Sequence, residues 1–152
     1  MSDPLARLAE LGLRLPPVAT PAGAYVPALR HGGLIYTSGQ LPFVDGVLPY
    51  TGLVGLDVTV EQAYECARLC ALNALAAVAS IIPLAQLTRI VKVTGFVASA
   101  PGFGKQPAVI NGASELLGEL FGESGRHARS AVGVAALPAG TPVEVELVAA
   151  VD

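Results

Sequence analysis

The order of elements along the chain predicts an α+β domain of two layers, with helices covering one face of a mixed β-sheet. Helix-like and strand-like apolar patterns follow one another as helix, strand, strand, helix, strand, helix, strand, strand. Strands that are interrupted by two long helices pack most readily as a sheet with the helices on one side. The length of 152 residues suits a single domain with its own core.

The apolar composition of the chain predicts that it self-associates. The chain is 53% hydrophobic and 14% charged, with a mean hydropathy of +0.60. Large exposed apolar patches usually mark interfaces, so we expect an oligomer. The formal net charge of −3, without a basic stripe, gives no reason to expect a nucleic-acid partner.

Neither a membrane span nor a secretory signal is expected. The most apolar run, residues 66–82, is interrupted by Arg68, Asn73 and Ser80, whereas a span needs about 20 apolar residues. The N-terminus MSDPLARLAELG lacks a basic segment followed by an apolar core. We therefore predict a cytoplasmic protein with no membrane partner.

The first part of the chain is predicted to form an extension and a hairpin. Residues 3–11 form a short helix, because Asp3 suits the N-cap and Pro4 the first turn. The Pro-rich stretch that follows completes an extension over residues 1–20, and the main domain covers residues 21–152. Residues 25–30 and 34–37 are strands joined by the turn His31-Gly32-Gly33.

The remaining elements alternate between long helices and strands. Thr59 can cap a helix that ends near Ser80, with Gln62 in position to complete the cap. Residues 87–99 form a long strand, residues 107–121 a second long helix, and residues 129–136 and 143–151 the last two strands. Cys66 and Cys70 lie four apart on the first long helix, where buried, reduced thiols are expected.

Arg129 begins the apolar run ARSAVGV, which we expect to be a central strand buried on at least one face. Its guanidinium keeps its charge and therefore needs a partner. That partner is water at the strand end, the carboxylate of Glu144 or Glu146, or a ligand carboxylate held by two parallel hydrogen bonds. Residue chemistry leaves these alternatives open.

Two further groups of polar side chains are candidates for chemistry. Glu144 and Glu146 point to the same face of their strand, either as a solvated face or with one of them serving as a base in a cleft. Tyr25 serves in packing or in a pocket wall. Ser38 has no evident His-Asp partnership, and the isolated His127, like His31, supports no serine-hydrolase mechanism.

Two blocks of sequence carry a family resemblance. GAYVPALRHGGLIYTSGQLP, residues 23–42, and ARSAVGVAALPAGTPVEVE, residues 128–146, together resemble the Rid family of reactive intermediate deaminases, also called YjgF/YER057c/UK114. The resemblance implies a chorismate-mutase-like domain with a mixed six-stranded sheet and two helices on one face. It also implies a homotrimer with three ligand clefts between subunits.

The same resemblance implies an activity. Deaminating members hydrolyse enamines and imines such as 2-aminoacrylate and 2-iminobutanoate to 2-keto acids and ammonia, without a cofactor or a metal. A small imino or keto acid is therefore the expected ligand. A non-catalytic module that binds small carboxylates is the alternative. A ribonuclease is a weaker one, because it needs a basic groove and the chain has nine Lys and Arg in all.

The site residues follow from matching positions. Arg129 corresponds to the arginine that holds the substrate carboxylate, and Glu144 to the acid that positions the attacking water. The expected substrate-binding residues are Tyr25, Ser38, Gly39, Asn111 and Ala131. The family often has a cysteine at the position of Ala131, so a role there falls to backbone atoms. Gly133 stands where an acidic residue is frequent.

Overall fold

The computed structural model describes residues 3–152, which form three α-helices and five strands. All eight elements were expected from the sequence, with boundaries that differ by a few residues. In chain order they are α1 Pro4–Glu10, β1 Ala28–His31, β2 Leu34–Thr37, α2 Val60–Ala79, β3 Leu87–Ala98, α3 Gln106–Phe121, β4 Ala128–Val134 and β5 Val143–Val151.

The sheet is mixed and has the order β1-β2-β5-β3-β4. Only β3 and β4 run parallel, and the other neighbours are antiparallel. The α+β prediction is confirmed, whereas the prediction of six strands is wrong. Within residues 3–152 the segments outside these strands form only isolated bridges, such as Gln40 with Val145 and Val54 with Ser99.

Strand β4 lies at the edge of the sheet, which corrects the expectation that it is central. It pairs with β3 alone, and Val132 is 43% exposed. Apolar composition suggested burial, but sequence does not show whether an apolar strand is covered by its own chain or left open. An open apolar edge is a surface on which another chain can pack.

Helices α2 and α3 cover one face of the sheet and enclose the core. Along β5 the odd-numbered residues from Val143 to Val151 are buried under the helices, while Glu144 and Glu146 project from the opposite, uncovered face. The helices approach closely at Gly112, where a Cβ would lie 2.9 Å from the carbonyl carbon of Tyr64. The helix layer thus leaves one face of the sheet open.

The N-terminal helix packs on the far end of the helix layer from Arg129. Asp3 caps α1, Leu8 is buried, and the Arg7 Nε donates to the carbonyl of Glu119. Arg129 instead contacts Pro107, about 18 Å away along α3. Helix α1 therefore does not cover Arg129 within one chain.

Helix α2 begins with the expected capping box and carries both cysteines. The Thr59 side chain accepts a hydrogen bond from the Gln62 backbone amide, and the Gln62 side chain accepts one from the Thr59 backbone amide. Cys66 and Cys70 are free and buried, as predicted, and burial raises the pKa of Cys66 to about 11. No helix within residues 3–152 is both long and apolar enough to cross a membrane.

Candidate functional site

Arg129 is held by the first turns of α3. Its Nη1 donates to Asn111 Oδ1 at 2.8 Å and to Ser114 Oγ at 3.2 Å, and its Nη2 donates to the Pro107 carbonyl at 3.4 Å. A guanidinium has five N–H donors. Three are used, which leaves one on Nε and one on Nη2, and two such neighbouring donors match the oxygens of a carboxylate.

The partner of Arg129 is not a carboxylate of its own chain. Glu144 and Glu146 were weighed as salt-bridge partners, but none of the ion pairs in the described residues involves Arg129. A half-buried guanidinium held by three neutral acceptors keeps its positive charge unmatched. The arrangement is therefore suited to binding an anion.

Asn111 and Ala131, which the resemblance gave as substrate-binding residues, lie near this guanidinium. Asn111 contacts it directly. Ala131 is two residues along β4, so it shares the helix-facing side of the strand, opposite Gly95. Because β4 is an edge strand, the backbone groups on its outer side lie beyond the ladder. These residues form one half of the candidate site.

Glu144 and Gly39 form the second half, on the uncovered face. The carboxylate of Glu144 lies directly above Gly39, where a Cβ would be 2.9 Å from its Cδ and 3.2 Å from its Cγ. Only glycine allows this approach. None of the residues that the structure describes donates a hydrogen bond to the Glu144 carboxylate. Burial, and then the neighbouring Glu146 charge, raise the pKa of Glu144, which makes this carboxylate a stronger base than a solvated one.

Ser38 directly precedes Gly39, and Tyr25 lies in the segment before β1 that Ser38 contacts. Ser38 Oγ donates to the Val26 carbonyl at 2.6 Å, and the Ser38 amide bonds the Pro27 carbonyl. These bonds tie the segment before β1 to the end of β2. Tyr25 is 51% exposed and its hydroxyl accepts from the Ala22 amide. The Ser38 hydroxyl is thus engaged by the backbone of its own chain.

The two halves do not meet within one chain. Arg129 is paired with Val93 and shares its helix-facing side, whereas Glu144 is paired across β3 with Phe96 and points the other way. Phe96 faces Val132, three residues beyond Arg129. The two backbone positions are separated by about 10 Å along the strands and about 10 Å across them. One ligand therefore cannot touch both side chains of a single chain.

Two residues near Arg129 were missed from the sequence. Ser114 Oγ lies 2.9 Å from His127 Nε2, and His127 Nδ1 lies 2.7 Å from the Gly125 carbonyl. His127 was treated as an isolated, exposed histidine, but it is half-buried and linked through Ser114 to Arg129. Its position two residues before Arg129 was the available signal, because such residues share a strand face.

Metal ligands are not grouped in the described residues. Nowhere in 3–152 do three His, Cys, Asp or Glu side chains come together in a way that suits an ion.

Comparison with known proteins agrees with the fold and with the two sequence blocks. Residues 5–151 match the family described as "YjgF/chorismate mutase-like, putative endoribonuclease". The chain is 45% identical to Protein TCP17 of Trypanosoma cruzi over 93% of this chain and 89% of that protein. It is 37% identical to a RutC family protein of Haemophilus influenzae, over 84% and 86% of the two chains.

Solved structures give the same result. The crystal structure of Atu1372 from Agrobacterium tumefaciens superposes with a TM-score of 0.90 at 46% identity, covering 98% of this chain and 92% of that one. E. coli TdcF, solved with bound serine, has a TM-score of 0.63 at 28% identity, covering 91% and 93%. On sequence and fold together, the chain belongs to the YjgF/chorismate-mutase-like family.

Proposed function

We propose that this protein is a deaminase that hydrolyses reactive enamines and imines of the 2-aminoacrylate and 2-iminobutanoate class to 2-keto acids and ammonia. The observation that carries the proposal is Arg129, which is anchored by three neutral acceptors and keeps two donors free for a carboxylate. These substrates share one carboxylate next to the reacting carbon. A bound carboxylate therefore places that carbon at a defined position.

The chemistry needs only one base and one water. An enamine takes a proton from solvent on carbon, or an imine takes one on nitrogen, and either becomes an iminium ion. The Glu144 carboxylate removes a proton from water as the oxygen bonds to the iminium carbon, and the nitrogen becomes an amine. Glu144 then gives its proton to that nitrogen, the C–N bond breaks and ammonia leaves, and the carbinol oxygen forms the ketone as its own proton passes to the Glu144 carboxylate and on to solvent. The raised pKa of Glu144 suits both the uptake and the return of the proton.

The active cleft is proposed to lie between subunits of a homotrimer. Since Arg129 and Glu144 project from opposite faces of one sheet, a ligand that touches both must lie between two copies of the chain. The apolar edge strand β4 and the uncovered sheet face, where Tyr36 is 43% exposed, are suitable surfaces for that packing. One copy then supplies Arg129 and its neighbour supplies Glu144 with Gly39.

The serine bound to TdcF supports a small amino-acid-like ligand for this family, because serine also carries one carboxylate beside an amino-bearing carbon. A non-catalytic module that binds small carboxylates uses the same arginine and is the second candidate. It is favoured if Glu144 never reaches the carbon beside the bound carboxylate. A ribonuclease has less support, since the chain carries nine Lys and Arg against twelve Asp and Glu.

The first test is a coupled assay in which threonine dehydratase produces 2-iminobutanoate in situ. We expect the wild type to release ammonia and 2-ketobutyrate faster than the spontaneous reaction, and Arg129→Ala and Glu144→Gln to lose this acceleration. A wild type that binds 2-ketobutyrate but accelerates nothing supports the binding module. If Arg129→Ala loses the acceleration while Glu144→Gln keeps it, the proposed role of Glu144 is contradicted.

A second test addresses the shared cleft. Arg129→Ala and Glu144→Gln chains are inactive separately but are expected to recover activity when mixed by joint refolding. In a randomly mixed trimer about one quarter of the clefts combine an intact Arg129 with an intact Glu144. Two copies of the same variant, refolded together, are the control. Failure of the mixture to recover activity contradicts a cleft between subunits.

A further inference from the structure

The hydrogen-bond chain behind Arg129 has a single consistent direction. A carbonyl oxygen only accepts, so the His127 Nδ1 must carry the proton that it donates to the Gly125 carbonyl. In a neutral imidazole the Nε2 is then an acceptor, and Ser114 donates its hydroxyl proton to it. This turns the lone pairs of Ser114 Oγ toward Arg129 Nη1, which donates to them.

Protonation of His127 reverses this order. Nε2 then carries a proton and donates to Ser114 Oγ. The Ser114 hydroxyl proton must then turn away from the ring, and the two lone pairs of Oγ accept from His127 Nε2 and Arg129 Nη1 together. Two positive charges therefore meet at one hydroxyl oxygen. Their repulsion weakens the contact between Arg129 and Ser114 and displaces the guanidinium from the position in which its free donors face a carboxylate.

We propose that Ser114 and His127 are positioning residues for Arg129, and that carboxylate binding weakens when His127 becomes protonated. The inference deepens the proposed function and rests on its carboxylate clamp. Burial lowers the pKa of His127, the Gly125 carbonyl opposes this, and the charge of Arg129 lowers it further. The neutral, accepting form therefore prevails at neutral pH.

The other charged groups on the elements around His127 are engaged elsewhere. On α3, Glu115 accepts from Tyr64 and Glu119 pairs with Arg68. In the turn after α3, Glu123 pairs with Arg126. On β3, Arg89 donates to the Glu123 carbonyl, and Lys92, in register with Val148, belongs to the uncovered face of the sheet. Arg129 is the charge that acts on His127.

The test measures binding of 2-ketobutyrate to the intact protein by calorimetry between pH 5 and pH 8. For the wild type we expect the Kd to rise about tenfold toward pH 5, the effect of losing one hydrogen bond of a charged group when the two cations repel each other. His127→Ala and Ser114→Ala should bind about tenfold more weakly than wild type at pH 7.5, with little change at lower pH. His127→Gln offers an acceptor that does not titrate, so it should keep tight binding and remove the pH dependence. His31→Gln, at the exposed end of β1, is the control and should behave as wild type.

A second readout does not depend on ligand or activity. The chain has two histidines, so nitrogen-15 resonances of the ring can be followed for each. His127 should show a protonated Nδ1 and an accepting Nε2, and its pKa should rise in Arg129→Gln. A protonated Nε2 in the neutral form, or an unchanged pKa, overturns the inference.

The outcomes also separate this inference from the deaminase itself. Binding that depends on His127 as described, without turnover of 2-iminobutanoate, upholds the positioning role and rejects the deaminase. Turnover with His127→Ala equal to wild type in both kcat and KM rejects the positioning role alone. A wild type that binds no carboxylate overturns both.

Discussion

Replacing Gly39 with alanine separates the position of Glu144 from the stability of the fold. Gly39 does not lie in the left-handed region, so alanine is compatible with its backbone. The new Cβ would stand 2.9 Å from the Cδ of Glu144 and 3.2 Å from its Cγ. Optimal separation of two carbon atoms is about 3.5–4.0 Å, so the carboxyl group must move by roughly 1 Å.

A displacement of that size has a large effect on catalysis and a small one on folding. Misplacing a catalytic group by about 1 Å costs about 100-fold in rate, equivalent to about 2.7 kcal/mol in activation free energy. Because Glu144 is only half-buried and its side chain can rotate away, we expect the free energy of unfolding to change by less than about 1 kcal/mol.

The assay is kcat/KM for 2-iminobutanoate in Gly39→Ala, combined with urea unfolding. Gly104→Ala is the matched control, since a Cβ there meets nothing within 4 Å and the backbone is not left-handed. In a Glu144→Gln background, Gly39→Ala should add little, because the two changes remove the same group. Two results would refute the reasoning. One is a kcat/KM of Gly39→Ala within threefold of wild type. The other is a loss in kcat/KM on adding Gly39→Ala to Glu144→Gln as large as the loss it causes in the wild type.

Three other predictions concern protonation, helix packing and a loop. Glu146→Gln removes a charge that raises the pKa of Glu144. The acid limb of the pH profile of kcat, measured at saturating substrate, should therefore shift to lower pH. A shift to higher pH would contradict this role of Glu146. Gly112→Ala should destabilise the fold by about 1–3 kcal/mol in denaturant unfolding, because the new Cβ forces α2 and α3 apart. Gly118→Ala, where a Cβ meets nothing within 4 Å, should instead stabilise the fold by about 0.5–1 kcal/mol in the same measurement. Ser38→Ala should lose about 1 kcal/mol in the same measurement but retain turnover, and abolished turnover in a folded variant would make Ser38 catalytic.

Local patterns in the sequence sufficed to predict the helices and strands and to point to candidate site residues. Two features depend only on residues close together in sequence: the capping box at Thr59 and the alternation of valines with Glu144 and Glu146. They can therefore be recognised from the sequence. Asn111 was placed near the site by resemblance, and its bond to Arg129 supports that placement. The count of six strands was wrong because bridges such as Gln40 with Val145 do not extend into a ladder.

Order within the sheet could not be read from the chain, because strand pairing depends on distant partners. The amino acids of β4 are apolar whether the strand is central or at an edge, and only the pairing of β3 with β5 on one side and β4 on the other places it outermost. The same pairing sets Arg129 and Glu144 on opposite faces. The sequence therefore determined which side chains are candidates for the chemistry. Their separation within one chain, and the contact of His127 with Ser114, arise from residues brought together across the sheet and the helix layer.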